Sequence, residues 1–239
     1  MKYFSFFALL ITLALSSCRF VEGRKIRGDG SVTKNQRSLT GFTGIETQGS
    51  IDVEVTPGDY KVEVESDQNI LPYIVTEVKN GVLVVHFEEE FRGYDYTTAK
   101  VYVTAPTLNV YKTHGSGNIT GNGQIKGGDK TEITVGGSGN IKINLNSPVV
   151  DVDISGSGNV EVAGETKDLA TEINGSGDIH AYDLKAETVR TSTHGSGNTE
   201  VSASAKLDAE IFGSGDVNYK GAPQVSSSIH GSGAISREN

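Results

Sequence analysis

Carboxylates recur at fixed places in the second half of this chain. Asp153, Glu172 and Glu210 each stand three residues before a Gly-Ser-Gly triplet, and Asp151 and Asp208 stand two residues earlier. If successive triplets mark stacked coils, Asp153 and Glu172 lie about 5 Å apart on one outward face, the strand spacing of a parallel β-structure. Two carboxylates at that separation suit a retaining glycosidase or a cation site. Arg190 and Lys206 interleave with them, and alternating charges on a solvated strand face require no chemistry. Asp151, Asp153, Glu172 and Glu210 therefore form a candidate acidic face, with catalysis the lesser reading.

A second row follows the triplets: Asn118, Asn140, Asn159, Asp178, Asn198 and Asp216. Calcium-binding nonapeptide repeats need carboxylates at nine-residue spacing, whereas this period is about twice that. An amide ladder holding stacked corners explains the row better. His114, His194 and His230 also precede triplets, but stacking places the nearest two about 10 Å apart, too far to share one metal ion. The segment Glu88 to Tyr96 departs from the repeat. Glu88, Phe91, Arg92, Tyr94 and Tyr96 make it a candidate binding loop, against the alternative that its rings pack on the end of the fold. No Ser/His/Asp or Cys/His nucleophile is assignable, no Gly-rich corner opens a helix as a phosphate loop does, and no cofactor is implied.

What positions these residues is the repeat itself. Gly-Ser-Gly begins at 115, 137, 156, 175, 195, 213 and 231, so the period runs from 18 to 22 residues. Ile119, Ile141, Val160, Ile179, Thr199, Val217 and Ile235 stand four positions after each first Gly. Ile154, Ile173, Thr193, Ile211 and Ile229 stand two before it in the later repeats. Alternating β-branched residues read as short strands, and Gly-Ser-Gly-Asn reads as a corner. One period makes one coil, and stacked coils align equivalent residues into ladders. The reading is an all-β, parallel β-helix-like solenoid. Absence of a strict hexapeptide period favours the right-handed form.

Residues 37–105 read as longer, meander-like antiparallel strands. Ile51–Val55 and Lys61–Glu65 alternate cleanly and are read as a hairpin closed by Thr56-Pro57-Gly58-Asp59. Asn80-Gly81 marks another turn, and Asn69-Ile70-Leu71-Pro72 a single helical turn. These strands would cover the N-terminal end of the solenoid, whereas the last coil, Ile229–Ile235, shows no cap and leaves its edge open to pairing.

The N-terminus reads as an address. Lys2 precedes an apolar run from Phe4 to Leu15, too short to span a bilayer but suited to a signal peptide, and Leu15-Ser16-Ser17-Cys18 looks like a bacterial lipobox. Cys18 is the chain's one cysteine, which excludes a disulfide framework and marks it for acylation. The expected organisation is a lipoprotein signal peptide at 1–17, and a lipidated tether and start of the fold at 18–36. One solenoid domain at 37–239 follows, with triplet coils from 106. Arg27-Gly28-Asp29 spells the integrin-binding tripeptide, which a Gly-rich chain produces by chance.

Composition agrees. Of 239 residues 30 are Gly but only 5 Pro, and no Gly-X-Y period appears, which excludes collagen and most Pro/Gly disorder. A net charge of −9 argues against nucleic acid as partner.

Several segments in order are similar to one family. Arg37-Ser38-Leu39, Phe42-Thr43-Gly44-Ile45, Gly49-Ser50-Ile51-Asp52-Val53 and Gly58-Asp59-Tyr60-Lys61-Val62 resemble the opening of the auto-transporter adhesin head GIN domain family. So do Asn69-Ile70-Leu71, Gly81-Val82-Leu83, Ala105-Pro106-Thr107-Leu108 and the serial corners, so that the resemblance covers most of residues 26–239. It implies a right-handed β-helix-like fold and a lipoprotein of the Bacteroidetes cell envelope, and brings no catalytic or ligand residue with it.

The expected function is a non-enzymatic outer-membrane lipoprotein, on the surface or periplasmic side, held to the membrane by its lipid and adhering to a protein or glycan. The alternatives are a polysaccharide-active β-helix enzyme and a purely structural envelope protein. Oligomeric state is not readable from the pattern.

Overall fold

The computed structural model describes residues 25–91 and 93–238. The chain opens with β1 (Lys25–Arg27), β2 (Val32–Arg37), β3 (Gly44–Gly49), β4 (Asp52–Pro57) and β5 (Lys61–Asp67). A single 3-10 turn at Leu71–Tyr73 leads into β6 (Ile74–Lys79), β7 (Val82–Phe87), β8 (Gly93–Asp95) and β9 (Ala99–Ala105). The coils follow as β10 (Val110–Gly115), β11 (Ile119–Lys126), β12 (Lys130–Gly137), β13 (Ile141–Asn146) and β14 (Val149–Gly156). Three long strands, β15 (Val160–Gly175), β16 (Ile179–Gly195) and β17 (Thr199–Gly213), each carry the chain round a full coil. The described structure ends with β18 (Val217–Lys220), β19 (Gln224–Gly231) and β20 (Ile235–Arg237).

The result is a parallel β-solenoid with two ladders meeting at the Gly-Ser-Gly corners. Before the corner run β7, β3, β10, β12, β14 and the second halves of β15, β16 and β17, ending in β19. After it run β9, β4, β11, β13 and the first halves of the long strands, ending in β18 and β20. The alternation seen in sequence becomes columns. Ile119, Ile141, Val160, Ile179, Thr199 and Val217 are register partners in turn, and all are buried. Unequal repeat lengths are absorbed by bulges: the ladder of β11 on β13 skips between Thr120 and Gln124, and that of β16 on β17 between Ala181 and Lys185. Extra residues loop out and the columns stay aligned.

One buried cluster runs from Phe42 to Val217. It tapers: one inward column reads Tyr111, Ile133, Val152, Thr171, Thr191, Ala209 from the N-terminal side on. Burial pushes the Tyr111 phenol far above its ordinary pKa. At the wide end the antiparallel portion closes the core. β6 pairs with β7 through the Asn80-Gly81 turn, both residues having positive φ, and Ile70 and Leu71 are buried beneath.

The hairpin read between Ile51–Val55 and Lys61–Glu65 does not form. β9 lies between β4 and β5, parallel to the first and antiparallel to the second, and β2 adds beyond β5. Val53 and Val55 belong to the coil columns, where Val101 and Val103 stack beneath them, so β4 takes a coil strand as its neighbour. Thr56–Asp59 still turns the chain, but swings β5 past β9.

Corners are close-packed backbone. Gly156 has a φ of 140°, open only to glycine. Gly158 is required for another reason, since a Cβ there would collide with the carbonyl oxygen of Gly139 on the preceding coil. Among the described residues no helix is long and apolar enough to cross a membrane.

Candidate binding face

Outward side chains before the corner form three columns. The first reads Asp151, Ala170, Arg190, Asp208, Ser226; the second Asp153, Glu172, Ser192, Glu210, Ser228; the third Ser155, Asn174, His194, Phe212, His230. Asp153 and Glu172 are thus direct neighbours on adjacent coils. Partial burial holds the Asp153 carboxyl above its ordinary pKa, and the facing Glu172 carboxylate adds to the effect. Asp151 is neutralised by Lys130 at 2.6 Å, and Glu172 accepts a hydrogen bond from the Asn174 amide at 2.8 Å. Ser192 separates Glu210 from Glu172, so the acids run along an open sheet and do not converge in a cleft.

The third column holds a residue the sequence reading passed over. Phe212 is 39% exposed and stacks between the rings of His194 and His230, at centroid distances of 4.8 and 4.9 Å. Ser192 and Ser228 hydroxyls meet Nε2 of His194 and His230 at 3.3 and 3.1 Å. Ring faces cover one another along the ladder, so the exposed edge of Phe212 makes an apolar strip between two polar imidazoles. Beside it lies a hollow of about 360 Å³ lined by Arg190, Ser192, Asp208, Glu210, Ser226 and Ser228, among others. The signal was present in the sequence, since Phe212 occupies the position at which His114, His194 and His230 attract notice.

The loop residues are arranged differently. Tyr94 stacks on Phe87 at 4.5 Å, Phe91 packs edge-on against Tyr73 at 5.1 Å, and Tyr96 lies 5.3 Å from Phe87. The Tyr94 hydroxyl donates to the Glu88 carbonyl at 2.9 Å, and burial raises its pKa. The rings pack on one another and on the core, leaving mainly the acids exposed. Arg92 and Cys18 lie outside the described residues.

After the corner the Asn/Asp row forms one hydrogen-bonded ladder. Asn140 donates from its backbone and side-chain amides to Asn118 Oδ1, both at 2.9 Å, and Asn159 does the same to Asn140 at 3.0 and 3.2 Å. Asp178 and Asp216 accept from the next coil, through Asn198 at 2.7 and 3.0 Å and the Ala234 amide at 2.8 Å. Asp52 begins the row by accepting both Asn118 amides. The row is structural in geometry, each oxygen answering a donor one coil on. Among the described residues no three His, Cys, Asp or Glu side chains gather as metal ligands. Arg27-Gly28-Asp29 is likewise built into the fold, where a side chain on Gly28 would strike the Asp67 carboxylate.

Fold and face together define a rigid β-solenoid that displays side chains on an open sheet. The family described as "Putative auto-transporter adhesin, head GIN domain" matches residues 41–223, and the chain belongs to it. The fold matches a "putative adhesin" of Bacteroides fragilis with TM-score 0.83 at 24% identity, over 89% of this chain and 100% of that one. Two Parabacteroides distasonis structures, each 28% identical, cover 90% of this chain and 100% of their own. One is described as a "putative adhesin" (TM-score 0.74), the other as a "putative lipid binding protein" (TM-score 0.73). Comparison with curated proteins finds no match.

Proposed function

We propose that this protein is a non-enzymatic adhesin of the cell envelope, an outer-membrane lipoprotein anchored through Cys18. In this reading the outward face of the C-terminal coils grips a glycan. Membership of an adhesin family supports the surface or envelope setting. The observation that carries the glycan reading is the half-exposed Phe212 stack beside a hollow rich in hydroxyls and charge. A sugar ring has an apolar C–H surface and a hydroxyl rim, and a site that fixes it needs an apolar contact with hydrogen-bonding groups alongside. Serine hydroxyls, Arg190 and Glu210 supply both donors and acceptors within that hollow. Against catalysis, Asp153 and Glu172 lie side by side on one open strand face and do not flank a cleft in which a glycosidic bond would sit.

The test is a glycan array probed with the detergent-solubilised chain and with Phe212→Ala. Wild type binds a defined subset, and the variant loses about tenfold or more, some 1.4 kcal/mol. Equal binding by both, or none by wild type, refutes the reading. Asp153→Ala/Glu172→Ala leaves binding intact, and no reducing sugar is released by either protein. Protease shaving of intact cells decides which side of the membrane the domain faces, and palmitate labelling lost in Cys18→Ser establishes the anchor.

A further inference from the structure

We propose that two copies of this chain join end to end through β19, paired antiparallel about a two-fold axis at Ser227. The two ends of the solenoid are finished differently. At the N-terminal end the edge strands carry charges, Lys34 and Arg37 on β2 and Glu77 and Lys79 on β6. Such residues discourage pairing with another chain. At the other end, among the described residues, β19 has β17 as its one strand partner, in unbroken register from Lys206↔Gln224 to Gly213↔Gly231. Eight residues long, β19 contains no charge, no proline and no bulge. Its inward residues Val225 and Ile229 are 39% and 44% exposed, although their column neighbours Leu207 and Ile211 are fully buried.

The occupant is specified by the strand's own symmetry. Val225 and Ile229 are equidistant from Ser227, with serine at 226 and 228. Antiparallel pairing about Ser227 sets Val225 of each copy against Ile229 of the other, both over the core, while Ser226 meets Ser228 outside. Every inward position finds an apolar or small partner and no charge is buried. Head-to-tail stacking would instead lay this uncharged strand on β6 or β2 with their charged residues, so a closed pair is favoured over a filament. β20, on the other ladder, is three residues long and carries Arg237, so the pairing rests on β19.

Register makes the test sharp. Antiparallel partners have Cα atoms about 4.5–5.5 Å apart, within the range a disulfide bridges, whereas diagonal residues are too far apart. In cells making the full chain, oxidation of Ser227→Cys gives a disulfide-linked dimer in most molecules. Ser226→Cys, which faces Ser228 of the other copy, gives under a tenth as much. Unmodified, the detergent-solubilised protein sediments at twice the mass of one mature chain. Ile229→Lys reduces it to one copy, and Val225→Glu/Ile229→Lys, which sets each Lys against a Glu, restores the pair, a rescue that a folding defect would not produce. A single-copy mass for the unmodified chain overturns the proposal. So do assemblies growing beyond two, equal cross-linking at 226 and 227, or one copy held by a different polypeptide.

Discussion

The corner ladder never places two carboxylates side by side. Along the stack it reads Asp52, Asn118, Asn140, Asn159, Asp178, Asn198, Asp216. Asn198→Asp breaks that rule by making three consecutive carboxylates while changing almost no volume. The Asn198 backbone amide still donates to Asp178, and position 198 still accepts from the Asp216 amide, but the side-chain donor to Asp178 Oδ1 at 3.0 Å is lost. A hydrogen bond to a charged group contributes about 1.5–3 kcal/mol, less at an exposed corner. Two like-charge contacts across a coil spacing of about 5 Å add roughly 1 kcal/mol each where bulk water screens them, as at these exposed corners. The expected cost at pH 7 and low salt is therefore about 2–4 kcal/mol, read from urea midpoints. The new carboxylate is flanked by Asp178 and Asp216, so its folded pKa lies above the unfolded value of about 3.9. A raised carboxyl pKa penalises the fold above that raised value, and the penalty disappears below the unfolded one. There the protonated group also donates to Asp178 again. Asn198→Ala, which loses that donor and also the acceptor for the Asp216 amide but adds no charge, shows a deficit that varies little with pH. A cost under about 0.5 kcal/mol for Asn198→Asp at pH 7, or one that persists at pH 3, would refute the account of the ladder.

Other substitutions probe the remaining supports. Gly177→Ala drives a Cβ into the Gly158 carbonyl and costs about 1–3 kcal/mol or more by urea denaturation, whereas exposed Ser176→Ala stays within about 0.5. Asp67 is buried and accepts hydrogen bonds from the Thr97 amide at 2.6 Å, the Thr97 hydroxyl at 2.9 Å and the Gly30 amide at 2.8 Å. These contacts, the Thr97 amide foremost, hold its pKa below the ordinary value. A depressed carboxyl stabilises the fold above its unfolded pKa and ceases to as pH falls through its folded one. Asp67→Asn should thus lower the urea midpoint at pH 7, with the deficit closing below about pH 4. Thr193 has a buried hydroxyl without a partner in a column where Ile173 and Ile211 are its neighbours, so Thr193→Val should gain about 1 kcal/mol in thermal or urea unfolding.

Much of this architecture is written locally. Spacing of the triplets and alternation of Ile and Val impose a coil length and an inward face, because a strand's side chains alternate and stacked strands keep register wherever one face is buried. Asn or Asp after each triplet likewise announces the corner ladder, since each bond joins residues one period apart. The Asp153–Glu172 neighbours follow from the same arithmetic. Three things do not. A turn sequence at Thr56–Asp59 says that the chain bends, but β4 finds a parallel neighbour from residues 48 positions on, which local chemistry cannot specify. The aromatic residues at 91–96 carry no mark of whether they face solvent, and Tyr73 and Phe87, brought beside them by the fold, give the rings partners. Phe212 looks like an isolated ring until stacking sets it between two histidines. The repeat by itself determined the coil, its core and its corners, because those interactions recur at one fixed separation. Tertiary structure alone decided which strands interleave at the N-terminal end, which rings are buried and which face is open, because each depends on contacts between segments that no period relates.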